Sequence, residues 1–115
     1  MIILKSWGFK YGEPEANFKF DVSYLKNPWR TELRDSNKKE LMEFMEKQNE
    51  FETMSIMYSN IIYNLYKMYP DETLIFSFCC SAGEYRSPLM VEKIKDLLNK
   101  LNVPSNIKHS SYSKI

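Results

Sequence analysis

The sequence predicts an α/β domain with a small mixed or parallel sheet flanked by helices. Strand-like and helix-like segments alternate along the chain, and 115 residues suffice for one domain with a core but not for two. The strongest strand signal, residues 73–79, is followed at once by a turn of small residues and the start of a helix. Ligands of parallel sheets bind beyond the carboxyl ends of the strands, so we expect the functional site at this turn.

Short apolar or alternating runs predict the strands. Residues 1–9 begin with consecutive apolar side chains, and residues 18–24 alternate apolar and polar ones, which predicts the first two strands. Residues 73–79 are rich in β-branched and aromatic side chains and have the length of a buried third strand. Pro104 precedes a short fourth strand around residues 106–109. Because helices separate most of these strands, we expect parallel pairing.

Apolar residues at helical spacing predict two helical regions. The first covers residues 38–69, begins after a cap at Asp35 or Ser36 and is interrupted near Gln48. The second begins at Ser87. The apolar stripe of the first region is expected to pack against the core, and it consists of Leu41, Phe44, Met45, Phe51, Met54, Met57, Ile61, Leu65 and Met68.

Composition limits the classes of function. The 16 basic and 15 acidic residues nearly balance, which argues against a nucleic-acid binder that works by bulk charge. Basic residues are concentrated in the first third of the chain, and those expected to flank the turn, such as Lys10, could bind an anion. No apolar run has the length of a membrane span. Two adjacent cysteines and one histidine make a poor disulfide framework and a poor metal site, which indicates a reducing cytoplasm and no metal or cofactor.

The turn Cys80–Ser87 joins a strand end to a helix start. Unpaired N–H groups at a helix N-terminus attract anions, and Arg86 adds a planar, two-pronged guanidinium. We therefore expect a strand–CxxGxxR turn–helix element that binds phosphate, in which the amides of residues 81–86 surround the anion and Arg86 clamps it. The turn residues expected to bind the ligand are Cys80, Ser81, Ala82, Gly83, Tyr85, Arg86 and Ser87.

Further motifs precede this turn: Ser6–Pro14, Phe20–Val22, Leu25–Pro28 and Leu33–Arg34. In order and spacing, these motifs and the Cys80 turn resemble the C-terminal domain of the RapZ (YvcJ-like) family. The resemblance implies an α/β domain that binds a phosphorylated amino sugar, contacts small regulatory RNA and associates into oligomers. The N-terminal P-loop ATPase domain of that family is not expected here, because the chain contains no GxxxxGKS or GxxxxGKT motif.

Several positions depart from the pattern of that family. In the turn, Ala82 replaces a glycine and Tyr85 replaces a histidine, while Trp29 occupies a position that is usually polar. Ser23 replaces an arginine, but Asp21 is retained and is expected to meet a hydroxyl or amine of the ligand. With fewer cations and two aromatic faces, the pocket favours a ligand that carries a flat ring, such as a nucleobase.

A second interpretation of the turn is catalytic. Its Cys-x5-Arg-Ser pattern is similar to the signature of cysteine-dependent phosphatases, in which Cys80 would be the nucleophile, Arg86 would hold the phosphoryl oxygens and Ser87 would assist the leaving thiolate. Three aspartates are candidates for the general acid, although none lies in a recognisable motif: Asp21, Asp35 and Asp71. Two more classes of function remain open, an adaptor that binds small RNA and a module that binds protein through its apolar helical stripe.

Each candidate residue also has a purely structural interpretation. Arg86 could pair with a carboxylate, Cys80 could be a small buried residue, and Trp29 could belong to the core. We expect His109 to be a hydrogen-bonded surface residue, because no spacing supports a Ser–His–Asp triad.

Taken together, these features predict a non-catalytic binding domain that spans residues 1–115. It would hold a small phosphorylated ligand, either an amino-sugar phosphate or a nucleotide, and act as a regulator or sequestering protein. We expect a homo-oligomer with no cofactor. A free-standing domain of this kind would also suit a virus or a mobile element.

Overall fold

Four strands form one sheet in the computed structural model, which describes residues 1–115. They are β1 (Ile2–Gly8), β2 (Phe18–Asp21), β3 (Leu74–Cys80) and β4 (Ser105–Lys108), and their order across the sheet is β2-β3-β1-β4. Every neighbouring pair is parallel, with β1 and β3 in the centre. The α/β class and the parallel sheet are therefore confirmed.

Three helices complete the fold: α1 (Lys38–Glu46), α2 (Asn49–Met68) and α3 (Arg86–Lys100). The predicted interruption of the first helical region is confirmed, because Gln48 between α1 and α2 has an extended backbone with φ −89° and ψ 120°. Its side-chain Oε1 accepts a hydrogen bond from the N–H of Lys26, which ties the interruption to the loop after β2. Short 3₁₀ helices occupy Phe9–Tyr11, Pro28–Arg30 and Glu32–Asp35.

Two predicted boundaries are wrong for local reasons. The cap of α1 is Asn37, whose side chain accepts from the N–H of Glu40, whereas Asp35 and Ser36 belong to the end of a 3₁₀ helix. The second strand ends at Asp21 and does not reach residue 24, because the Asp21 carboxylate accepts from the N–H of Ser23 and turns the chain.

The core lies between the helices and one face of the sheet. Along β1 buried residues alternate with half-buried ones, which is the pattern of a sheet covered mainly on one side. Part of the predicted helical stripe is in this core, namely Leu41, Met45 and Phe51, but Met57, Ile61 and Met68 are exposed. The face of α2 that is buried instead carries Ser55, Tyr58, Ser59 and Ile62. Two small serines allow α3 to pack closely there, so apolarity alone does not identify the buried face.

The connections that follow β1 and β3 lead to opposite edges of the sheet. From β1 the chain runs to β2 at one edge, and from β3 it runs through α3 to β4 at the other edge. Such a reversal opens a crevice beyond the carboxyl ends of the two central strands. No helix has both the length and the apolar character needed to cross a membrane.

Candidate functional site

A cavity of about 260 Å³ lies beyond the carboxyl ends of β1, β2 and β3. Its lining comes from three segments, one after each of these strands, so the parallel sheet itself brings them together. The lining residues are Lys10, Asn27, Trp29, Cys80, Ser81, Ala82, Glu84, Tyr85 and Arg86. Seven of the ten residues expected from the sequence to bind the ligand are in this set, and their role in binding stays a prediction.

The turn presents a row of free backbone donors. None of the N–H groups of residues 81–85 donates a hydrogen bond within the chain. No side chain caps the start of α3, and its first turn contains no acidic residue. Free amides and the positive end of the helix dipole therefore coincide at this end of the cavity, and both attract negative charge.

Arg86 is buried, with 9% of its surface exposed, and it carries a positive charge that no carboxylate in the chain neutralises. Its Nη1 donates to the carbonyls of Ser23 and Leu25 at 2.8 and 3.4 Å, and its Nη2 donates to Ser81 Oγ at 3.1 Å. Nε is buried and has no partner. A guanidinium has five N–H donors, so two of them make no hydrogen bond within the chain.

Glycines allow the turn to pack directly against the end of β1. Gly83 has φ +71°, and a Cβ on it would lie 2.7 Å from the backbone nitrogen of Gly8. A Cβ on Gly8 would lie 2.4 Å from the carbonyl carbon of Ala82. Ala82, which stands where the family that the motifs resemble has a glycine, does not have a positive φ, so its methyl group introduces no backbone strain.

Cys80 and Ser87 lie at the base of the turn. The Cys80 thiol is 2% exposed and donates to Ser87 Oγ at 3.4 Å, and Ser87 Oγ donates in turn to the carbonyl of Trp7 at 3.2 Å. Ser87 therefore joins α3 to β1 and does not line the cavity. The adjacent Cys79 is a buried residue outside the lining, and burial raises the pKa of its thiol.

The aromatic residues occupy two different environments. Tyr85 is buried, and burial raises the pKa of its phenol, which donates a hydrogen bond to the carbonyl of Arg34 at 2.7 Å. Trp29 is 49% exposed and therefore does not belong to the core. The guanidinium of Arg34 lies 5.1 Å from the centre of the Trp29 ring, so a single arginine contacts both aromatic residues.

Three predicted residues lie outside the lining. Asp21 is exposed and caps its own turn, while Gly83 and Ser87 support the site from behind. Two lining residues, Asn27 and Glu84, were missing from the predicted set. Asn27 belongs to a motif recognised in the sequence, but its side chain accepts from the N–H of Trp29, a local contact that the sequence does not reveal.

The arrangement offers little to a phosphatase mechanism. The three aspartates considered as general acids, Asp21, Asp35 and Asp71, are absent from the lining, where the only carboxylate is Glu84. A hydrolase triad is not formed elsewhere either. Ser6 Oγ lies 2.8 Å from His109 Nδ1, and His109 Nε2 lies 3.3 Å from Glu92, but Ser6 is fully buried and borders no cavity.

Comparison with known proteins agrees with the motifs. The family model described as the RapZ C-terminal domain matches residues 1–113. A nucleotide-binding protein of Histophilus somni is 33% identical over 120 positions, and one of Glaesserella parasuis is 32% identical over the same length; each comparison covers 98% of this chain. One of Acinetobacter baumannii is 33% identical over 111 positions, or 85% of this chain.

The chain spans 42% of the length of the first two relatives and 37% of the third. All three are bacterial proteins, so they give no support to a viral or mobile-element origin.

Proposed function

The chain belongs to the RapZ C-terminal domain family, and we propose that its cavity holds a small phosphorylated ligand in a regulatory role. The ligand class is a phosphosugar or a nucleotide, and the name nucleotide-binding protein carried by the relatives supports this class. The phosphate would lie between Arg86 and the amides of residues 81–85, where free donors and positive charge are combined.

The unneutralised guanidinium of Arg86 is the observation that carries this proposal. Burying a charge without a counter-charge is costly, so an interior arginine normally faces a carboxylate. Arg86 instead contacts two carbonyls and one hydroxyl and keeps a buried Nε without a partner. A phosphate would supply both the missing acceptor and the missing negative charge.

The remaining charged side chains suit the other parts of such a ligand. Lys10 is exposed at the edge of the cavity and adds a second positive charge within reach of a phosphate. Glu84 can accept hydrogen bonds from a hydroxyl or amine, the role expected from the sequence for Asp21. Neither RNA binding nor self-association is supported by these contacts, so we limit the proposal to a small ligand.

A thermal-shift panel tests the proposal with inorganic phosphate, glucosamine 6-phosphate and adenosine 5′-monophosphate. A ligand at about 100 times its Kd should stabilise the fold by roughly 2.7 kcal/mol, which raises the melting temperature by several degrees. Arg86→Ala should weaken binding by about 30-fold, since a hydrogen bond to a charged group is worth roughly 2 kcal/mol. This variant also frees two loop carbonyls, so circular dichroism must show that it folds.

Lys10→Ala provides a milder variant, because Lys10 is exposed and makes no ion pair. We expect Lys10→Ala to weaken ligand binding several-fold without loss of stability. Lys39 is likewise an exposed lysine, on α1, that does not line the cavity, so Lys39→Ala is the matched control and should leave both ligand affinity and stability unchanged. Absence of a shift with all three compounds, or equal binding by the wild type and both site variants, would refute the proposal.

A further inference from the structure

Trp29 is a large, mainly apolar side chain that lines the cavity but remains about half exposed to solvent. Its exposed fraction is 49%, although tryptophan is on average among the more buried residue types. From its position we infer that the ligand is a nucleoside monophosphate whose base stacks on the indole of Trp29 while its phosphate binds at Arg86. This inference rests on the proposed function and narrows its ligand class.

The size of the cavity favours a ligand whose phosphate and sugar lie inside it and whose base lies at its edge. Its volume of about 260 Å³ lies just below the range of roughly 300–1,000 Å³ that is typical of pockets for drug-sized molecules. A phosphate and a pentose can lie inside such a space, but an attached base has to extend to the edge. The side chain it meets there is Trp29, whose flat surface suits any base.

Local contacts hold Trp29 ready for a ligand. Pro28 is the first residue of the 3₁₀ helix that carries it, and the Asn27 side chain caps that helix by accepting from the N–H of Trp29 at 3.1 Å. Arg34 approaches the ring to 5.1 Å, and the carbonyl of Arg34 is fixed by the hydroxyl of Tyr85. The backbone that carries Trp29 is therefore fixed, so only the side-chain freedom of the indole has to be lost when a base stacks on it.

The carboxylate of Glu84 in the cavity lining suits the ribose of the proposed nucleotide. Glu84 lies in the turn and lines the cavity, and its backbone carbonyl accepts a hydrogen bond from the N–H of Lys114 at 2.9 Å. A carboxylate so placed can accept hydrogen bonds from the hydroxyls of a ribose, as acidic residues do in dinucleotide sites. Phosphate, sugar and base would thus each meet a different group of the cavity.

Isothermal titration calorimetry with three nested probes tests the inference: inorganic phosphate, ribose 5-phosphate and adenosine 5′-monophosphate. In the wild type the complete nucleotide should bind about ten-fold more tightly than ribose 5-phosphate, which is the contribution expected of one stacked base. Trp29→Ala should remove this difference and leave the affinity for ribose 5-phosphate unchanged. Trp29→Phe should retain most of it, because the aromatic face remains.

Tyr69→Ala is the matched control, since Tyr69 is an aromatic residue of similar exposure, 46%, that lines no cavity. It should bind all three probes as the wild type does. Equal affinity for the nucleotide and ribose 5-phosphate in the wild type would overturn the role of Trp29 but leave the phosphate site intact. If none of the three probes binds, the inference fails, and the proposed function fails with it only if glucosamine 6-phosphate also gives no thermal shift.

Discussion

Arg86 has a structural role that the contacts show, and we propose that it also binds the ligand. Its contacts with Ser23, Leu25 and Ser81 join the loop after β2 to the turn after β3, so the residue does support the fold. No carboxylate in the chain pairs with its guanidinium, so the protein does not neutralise this charge. The arginine therefore joins two of the segments that line the cavity, and in the proposed function a phosphate would neutralise its charge.

The three glycines of the chain differ in why a side chain is excluded, either because φ is positive or because a Cβ would collide with another segment. This difference predicts the stability of their alanine variants. Gly83 combines a positive φ with a collision, Gly12 has φ +98° but open space, and Gly8 has an ordinary φ of −113° but a collision with Ala82. Alanine at Gly12 should cost about 1–3 kcal/mol through backbone strain alone. Alanine at Gly83 should cost a further 1–3 kcal/mol, roughly the effect of overpacking.

Urea unfolding of the three alanine variants measures these costs. Gly83→Ala is expected to be the least stable, with Gly8→Ala and Gly12→Ala between it and the wild type. Equal stability of Gly83→Ala and Gly12→Ala would contradict the prediction, because it would show that the turn can move away from β1 to accommodate the added methyl group.

At the level of the elements, Lys93 of α3 holds together the two helices that Gln48 separates. Its Nζ lies 2.6 Å from Glu46 at the end of α1 and 3.1 Å from Glu52 in the first turn of α2. Burial by itself would lower the pKa of Lys93, but hydrogen bonds and charge pairing with both glutamates raise it above the ordinary 10.5. The interruption between the helices is thus bridged by one partly buried cation.

This contact predicts a stability that depends on pH. Because the pKa is raised on folding, the stabilisation is fully present below about pH 10.5 and is lost as the pH rises through the folded pKa. Lys93→Met should lower the free energy of unfolding by about 1 kcal/mol near neutral pH, given that both partners are partly exposed. Urea titrations should show this difference shrinking above pH 10.5. A constant difference, or an equal loss in Lys39→Met, would contradict it.

The elements also show which parts of the fold and the cavity can be predicted from the sequence. The apolar runs of β1 and β3 and the alternation of β2 predict strands because the pattern of neighbouring side chains is a local property of the sequence. The position of the turn after β3 follows from the end of its apolar run. The sequence did not predict the buried face of α2, because Ser55 and Ser59 are buried by close packing against another helix. It also did not predict that Glu84, and not Asp21, lines the cavity, because that depends on how the turn meets β1 and β2.

For the molecule as a whole, the outer surface of α2 is the main feature that the site does not explain. Ile56, Met57 and Ile61 are each more than 40% exposed and lie within two turns of the helix. Such a face is consistent with self-association, which stays a prediction, since an apolar face does not identify its partner. The cavity, in contrast, is lined by three segments that follow β1, β2 and β3 of the same chain.

Hydrogen exchange across the whole chain gives the last prediction. The central strands β1 and β3 are paired on both sides and should exchange slowest, while the amides of residues 81–85 should exchange almost unprotected in the free protein because they have no acceptors. With a phosphorylated ligand at about 100 times its Kd, exchange of these amides should slow by about 100-fold if the free form alone exchanges. Glu15 and Ala16, whose amides also lack acceptors but lie outside the lining, should not change. Protection of residues 81–85 without ligand would show that the turn satisfies its own donors, and the physical basis for anion binding would then be lost.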